Sequence, residues 1–199
     1  MTISASTPLE TEFGNVTINY HQHLDDRCLS IVVGDVSENT PLVRLHSSCL
    51  FGESFLGIDC DCKLQLNRTI EMICKEKCGL VIYLFQEGRG HGLEMKIRLM
   101  NAEKEFNIDT VDAFRHFNLD LDPRNYSIAT QALIDLNVSK SLRLITNNPL
   151  KKQWLENAGY KIVEVVALEY PINNQVKKYL KVKKEKLGHT INYLDEGTE

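Results

Sequence analysis

After residue 64 the hydrophobic pattern changes period, and that change constrains the fold more than any other feature. Before it, apolar residues alternate or run in short β-branched stretches: "NVTINYHQ", "RCLSIVVGDV" ended by Gly34, and "PLVRLHSS". These read as three short strands and make the N-terminal third β-rich. After it, "LQLNRTIEMICKEKCG" sets Leu64, Leu66, Ile70, Ile73 and Cys74 near helical spacing, with Gly79 as the stop. A buried strand "LVIYLF", a glycine loop "QEGRGHG" and an amphipathic helix "LEMKIRLMNAEKEF" follow. "DTVDAFRHFNLDLDPRNY" reads as a loop with a short helix, and "SIATQALIDLNV" as a helix. Then come strand "SLRLIT", helix "LKKQWLENAG" closed by Gly159, strand "YKIVEVVAL" and basic helix "VKKYLKVKKEKLGH". Strands alternating with helices predict an α/β fold, a mixed sheet flanked by helices. No repeat, linker or composition break divides the chain. One domain over 1–199 is expected, with 1–12 frayed and 193–199 a flexible tail.

The 199 residues are 43% hydrophobic and carry a net charge of −4, which argues against a protein-wide nucleic-acid or membrane footprint. Any anion site must therefore be built locally. The start, "MTISASTPLETEFGNV", has neither the basic nor the apolar region of a signal peptide. No apolar run approaches the roughly 18 residues of a membrane span. The expected compartment is the cytosol, where thiols stay reduced, so the six cysteines point to metal binding or burial rather than disulfides.

Three of those cysteines, Cys49, Cys60 and Cys62, form the pattern C-x10-C-x-C in "RLHSSCLFGESFLGIDCDC". Cys60 and Cys62 flank one residue, which turns both sulfurs the same way in a strand or turn. Gly52 and Gly57 let the chain loop back to bring in Cys49. Three thiolates without a fourth suit an open, catalytic zinc site, since a structural site uses four protein ligands. The alternative is three buried cysteines acting as small hydrophobes. Core packing is the expectation for Cys28, Cys74 and Cys78. His46, three residues before Cys49, can complete a closed site or touch a ligand; a lone histidine is more often neither.

"QEGRGHG" follows a buried strand directly, and loops at strand carboxyl ends are where α/β sheets bind ligands. Its glycines, Gly88 among them, allow backbone N–H groups to approach a phosphate, and Arg89 adds a bidentate charge. Glu87 can accept hydrogen bonds from an amino-bearing base edge. "TNNPLKK" follows a strand and opens a helix, so Thr146 and Lys151 suit phosphate; the alternative is a capped turn with solvated lysines. Arg44 is a further candidate cation. "DPR" pairs Asp122 with Arg124 across a proline-stiffened step. The lysines from 177 to 186 read as a solvated helix face.

Taken together, "RLHSSC…CDCKLQL", "QEGRGHGL", "DTVDA", "DPRNY", "TNNP" and "KKEKLGH" resemble GTP cyclohydrolase II, the first enzyme of riboflavin synthesis, in order and spacing from about residue 10 to 192. The resemblance implies a zinc-dependent homodimer acting on GTP. A zinc-activated water attacks C8 of guanine and the imidazole ring opens. Formate and pyrophosphate leave, and a diaminopyrimidine phosphate remains. It further implies one Zn2+ per subunit on Cys49, Cys60 and Cys62, and Mg2+ with the triphosphate. Gln65 and Glu87 read or place the base; Arg44, Glu87, Gly88, Arg89, Thr110, Thr146 and Lys151 line the nucleotide site. Asp122 resembles the family's acid/base and Arg124 its nucleophile at the α-phosphorus. An always-protonated guanidinium is better suited to stabilising phosphate charge.

The chain departs from the family at four places. The usual H-S-E-C is "HSSC", which puts Ser48 in place of a carboxylate. The usual K-I-R-A-Y is "KIRLM", with Met100 in place of a hydroxyl. E-A-N after D-T-V is "DAF", with Phe114 in place of an amide. "GHG" puts His91 at a usually apolar position. Two alternatives to GTP ring opening therefore stand. One is a divergent relative acting on another nucleotide or a pyrimidine-derived substrate, or stopping at a formylated intermediate. The other is a zinc-stabilised nucleotide-binding protein without catalysis.

Overall fold

The structure is a computed structural model of the chain, in which residues 3–168, 174–189 and 191 are described. Its contacts divide into two units. One runs up to His46, over 63–85 and from Tyr126 to the end of the last strand; the other holds 47–62, 86–125 and the C-terminal helix.

The first unit is built on seven strands: β1 (Ala5–Thr11), β2 (Gly14–His23), β3 (Asp26–Val33), β4 (Leu42–Ser47), β5 (Gly79–Leu84), β6 (Ser141–Ile145) and β7 (Lys161–Val166). Their order in the sheet is β1-β2-β3-β5-β4-β6-β7. The β1–β2, β2–β3 and β3–β5 pairs are antiparallel, and β4–β6 and β6–β7 are parallel, so the sheet is mixed as expected. Alternation along the central strands sorts their side chains onto two faces. Val43, Leu45, Leu80, Ile82, Leu84, Leu142 and Leu144 meet Ala129, Ala132 and Leu133 of α5 (Ser127–Asp135) and Leu155 of α6 (Pro149–Asn157). Leu42, Val81 and Ile145 meet Ile73 of α2 (Cys62–Glu76) on the other. Burial of each such side chain contributes about 1.5–3 kcal/mol.

Two expectations need correcting. Residues 5–11 are not frayed: β1 pairs with β2 from Ala5↔Tyr20 to Thr11↔Gly14, and the Thr11 hydroxyl closes the turn on the Gly14 carbonyl at 2.7 Å. Its side chains are almost all exposed, so no apolar alternation marked it. The helix expected to stop at Gly79 ends at Glu76, where Lys77 takes the left-handed conformation (φ 56°) and Gly79 already belongs to β5. The tail at 193–199 lies outside the described residues.

A buried polar ladder runs across β2 and β3. Ser30 Oγ lies 2.9 Å from His21 Nε2 and accepts from Asn19 Nδ2 at 3.0 Å, while His21 Nδ1 is 3.5 Å from Asp135.

The second unit is helical: α1 (Leu50–Glu53), a 3-10 turn (Glu87–Gly90), α3 (Gly92–Glu105), α4 (Thr110–His116) and α7 (Asn174–Leu187). Leu99 of α3 packs on Ala113 and Phe114 of α4, with Met95, Ile108, Phe117, Leu119 and Leu121 around them. Asp109 caps α4 by accepting from the N–H groups of Val111 (2.9 Å) and Asp112 (3.1 Å). It also pairs with Lys186 of α7. Lys183 lies 3.7 Å from the buried Asp61, so part of the basic helix is tied to carboxylates rather than simply solvated.

Candidate functional site

Cys49 ends the segment leaving β4, Cys60 lies in the loop after α1, and Cys62 is the first residue of α2. Their three sulfurs lie within 4.8 Å of one another, with Cys49 and Cys60 at 3.7 Å, and form the one such metal-type cluster among the described residues. Gly52 makes this possible, because a Cβ there would stand 2.6 Å from Cys60 Sγ. Two carboxylates pin the turn that carries Cys49. Glu53 accepts its N–H at 3.0 Å, and Glu87 accepts the Leu50 N–H at 2.8 Å. The donor set, three soft and converging sulfurs, fits a metal such as zinc.

The thiols do not share a proton affinity. Hydrogen bonds from Cys60 and Cys62, and then from the Gly52 backbone and Lys96, outweigh burial and hold the Cys49 sulfur far below the usual thiol range. Cys49 in turn pushes Cys60 and Cys62 up. The Lys96 ammonium sits 3.1 Å from Cys49 Sγ, 2.6 Å from Glu87 Oε1 and 4.8 Å from the centre of the Phe51 ring. Burial works against its charge, but the Glu87 and Cys49 contacts outweigh burial and raise its pKa.

In the 3-10 turn, Gly88 (φ 59°) and Arg89 (φ 57°) are both left-handed, a conformation costly for arginine. The Arg89 guanidinium lies over the Phe114 ring at 5.2 Å and donates to the Leu121 carbonyl at 3.4 Å. Thr110 opens α4 and hydrogen-bonds Glu103, whose carboxyl burial pushes up. Arg124 grips Asp122 through Nε and Nη2, two donors on one edge of its guanidinium, and reaches Ser47 Oγ with Nη1 at 3.3 Å. Burial pushes the Asp122 carboxyl up, but Arg124 more than offsets it and holds it below the usual range.

The first unit gathers the other expected residues at the carboxyl ends of the parallel strands β4 and β6. Arg44 donates to His46 Nδ1 at 3.2 Å, to the Gln65 side-chain carbonyl and to the Ile145 carbonyl at 3.5 Å. Accepting at Nδ1 puts any neutral-ring proton of His46 on Nε2, and the ring stacks on Tyr83. Thr146 Oγ1 accepts the Asn148 N–H at 3.0 Å, and Asn148 caps α6. This is the capped turn weighed above, but its lysine is not solvated: Lys151 is buried and donates to the Leu45 carbonyl at 2.7 Å.

The remaining cysteines belong to the first unit. Burial pushes the Cys28 thiol up to about 12, as for a core residue. Cys78 donates to the Asp35 carbonyl, and Cys74 lies against Gly14.

The family model for GTP cyclohydrolase II matches residues 2–167. The chain belongs to the GTP cyclohydrolase II family. Curated relatives include the riboflavin biosynthesis protein RibBA of Phocaeicola vulgatus, 42% identical over 83% of this chain and 41% of that protein. RibBA of Chlorobium phaeovibrioides is 41% identical over 92% of this chain and 45% of its own length. The chain thus spans less than half of these relatives. A solved RibBX from A. baumannii, a two-domain 3,4-dihydroxy-2-butanone 4-phosphate synthase, aligns at 17% identity over 84% of this chain and 39% of its own, with a TM-score of 0.46. No helix among the described residues is long and apolar enough to cross a membrane.

Against the cyclohydrolase II pattern, two of the four departures touch each other: the His91 ring lies 5.4 Å from that of Phe114, and His91 Nε2 is 2.9 Å from the Asp120 carbonyl. Met100 lies on α3 between Lys96 and Glu103, on the face that helical spacing gives those two. Ser48 is half-buried beside Cys49. Sequence reasoning missed Lys96. A helix lysine carries no signal of its own, and only the fold brings it to a sulfur 47 residues away.

Proposed function

We propose that this chain is a zinc-dependent hydrolase that opens the imidazole ring of GTP. It releases formate and pyrophosphate and leaves a diaminopyrimidine ribosyl phosphate. The observation that carries the reading is the convergence of three thiols in the unit that also holds the Asp122–Arg124 pair, within a cyclohydrolase II family match. Cys49, Cys60 and Cys62 would hold one Zn2+ per subunit, which would supply the Lewis acidity for hydrolysis at guanine C8. Asp122, kept ionised by Arg124, is a proton acceptor. Arg124, permanently charged and fork-shaped, stabilises phosphate oxygens rather than attacking phosphorus. Arg89 and the backbone of Gly88 serve the nucleotide phosphates, with Thr110 beside them. Glu87 and Gln65 serve the base. For Arg44, His46, Thr146 and Lys151 the family motif and their clustering at strand carboxyl ends support a nucleotide role. Mg2+ accompanies the triphosphate, the chain works as a cytosolic homodimer, and the product enters riboflavin synthesis as the relatives' names indicate.

The test is incubation of the zinc-loaded protein with GTP and Mg2+, following formate, pyrophosphate and nucleotide product by mass spectrometry. Release of both with the diaminopyrimidine phosphate supports the reading; intact GTP after hours, though bound, overturns it in favour of a binding protein. Met100, on the same α3 face as the sulfur-contacting Lys96, favours one second reading: a relative that stops at the formylated intermediate or takes another nucleotide. Formylated product that Met100→Tyr with Ser48→Glu converts to the complete reaction would establish it. No effect of that pair removes its basis.

A further inference from the structure

We infer that Lys96 is a positioning residue of the metal centre, clamping the Cys49 sulfur to the Glu87 carboxylate and setting a positive charge directly against one of the three thiolates. The inference rests on the zinc reading above. Lys96 is unlike an ordinary helix lysine. Its side chain is 18% exposed, its ammonium donates to Cys49 Sγ at 3.1 Å and Glu87 Oε1 at 2.6 Å, and it rests on the Phe51 ring.

These contacts close a ring. Glu87 Oε2 accepts the N–H of Leu50, the residue after Cys49, while Oε1 takes the lysine that also holds the Cys49 sulfur. One carboxylate and one ammonium thus fix both the backbone and the sulfur of this ligand. Gly88 belongs to the same arrangement: a Cβ there would lie 3.2 Å from Lys96 Cβ, so a side chain at 88 would displace the lysine stem.

The charge follows simple accounting. Three thiolates on a divalent cation leave a net negative centre, which weakens the pull on a bound oxygen. An ammonium 3.1 Å from the Cys49 sulfur draws on that sulfur's electron density and offsets the excess locally, while its pairing with Glu87 keeps it in place. Groups that orient metal ligands in this way typically affect metal affinity by about 10–100-fold.

The experiment uses the full chain and its Lys96→Met and Lys96→Arg variants. Zn2+ affinity is measured by competition with a chromophoric chelator, the thiolate-to-metal band is read after Co2+ loading, and kcat and KM are measured with GTP. Lys96→Met is expected to bind one metal per chain with the three-thiolate band intact, but about 10–100-fold more weakly. Lys96→Arg, which restores charge and reach, is expected to recover most of that loss. Unchanged affinity in Lys96→Met overturns the inference, as does Lys96→Arg behaving like Lys96→Met. Metal binding weakened in Lys96→Met, in a protein that turns over no GTP, supports the inference while overturning the proposed function. Wild-type protein that takes up no metal overturns both.

Discussion

Arg124 holds Asp122 in a two-point grip, Nε at 2.6 Å from Oδ1 and Nη2 at 2.5 Å from Oδ2, with both side chains largely shielded from water. The pair fixes the charge state of both partners. Burial alone would raise the carboxyl, but the guanidinium more than reverses it, so Asp122 is ionised throughout the neutral range. Its depressed pKa adds stability above the usual carboxylate value near 3.9, lost as pH falls through the lowered folded value. The acid limb of kcat/KM due to Asp122 is therefore expected below about pH 4. Asp122→Asn should lower kcat by about 10²–10⁴-fold. A pH–rate profile with an acid limb near neutrality that disappears in Asp122→Asn would contradict this assignment.

The cysteines separate by location. Cys60 lies within the three-sulfur cluster, whereas Cys74 lies against Gly14. Cys60→Ser is expected to lose both bound zinc and GTP turnover. Cys74→Ser is expected to keep a full complement of metal and wild-type kcat. Metal analysis beside a turnover assay decides it, and full activity in a metal-free Cys60→Ser protein would sink the zinc reading.

Phe114 departs from the family pattern, yet it is 2% exposed and packed under Arg89 and against His91. The two departures are in contact, Phe114 inside the second unit's core and His91 half-buried against it. Restoring the family's residue alone should therefore cost stability: Phe114→Asn leaves a cavity and a buried amide, about 3 kcal/mol or more. Thermal unfolding is expected to shift down by roughly 6–12 °C, at about 2–4 °C per kcal/mol for a chain of this size. An unchanged Tm would show that Phe114 is not a core residue.

The sheet and most helices were legible because their apolar runs are strong: "PLVRLHSS" and "LVIYLF" read as strands, and in the fold Val43, Leu45, Leu80, Ile82 and Leu84 line one face. β1 was not, because an edge strand with both faces in water needs no apolar alternation; its partner's backbone alone specifies it. The thiol cluster was legible from spacing, since three soft ligands are rare enough to stand out. Lys96 was not, nor was the engagement of both Glu87 oxygens by Leu50 and Lys96, because each joins segments distant in sequence. The His21 ladder was hidden for the same reason: Asn19, His21 and Ser30 read as ordinary strand residues until β2 and β3 pair.

That ladder gives the last prediction. His21 faces the Ser30 hydroxyl through Nε2 at 2.9 Å and Asp135 through Nδ1 at 3.5 Å. His21 is fully buried, and burial lowers its pKa despite Asp135 nearby. The unfolded chain binds a proton near pH 6.5 that the folded chain refuses. The contribution of neutral His21 to stability is thus complete above about pH 6.5. It declines as pH falls toward the lowered folded value, by at most about 1.4 kcal/mol per pH unit. His21→Gln keeps a polar side chain without titrating. Urea unfolding of both proteins between pH 7.5 and 5.5 should show the wild type losing stability faster, the gap between them narrowing as pH falls. Parallel curves would mean that His21 keeps its ordinary proton affinity in the fold.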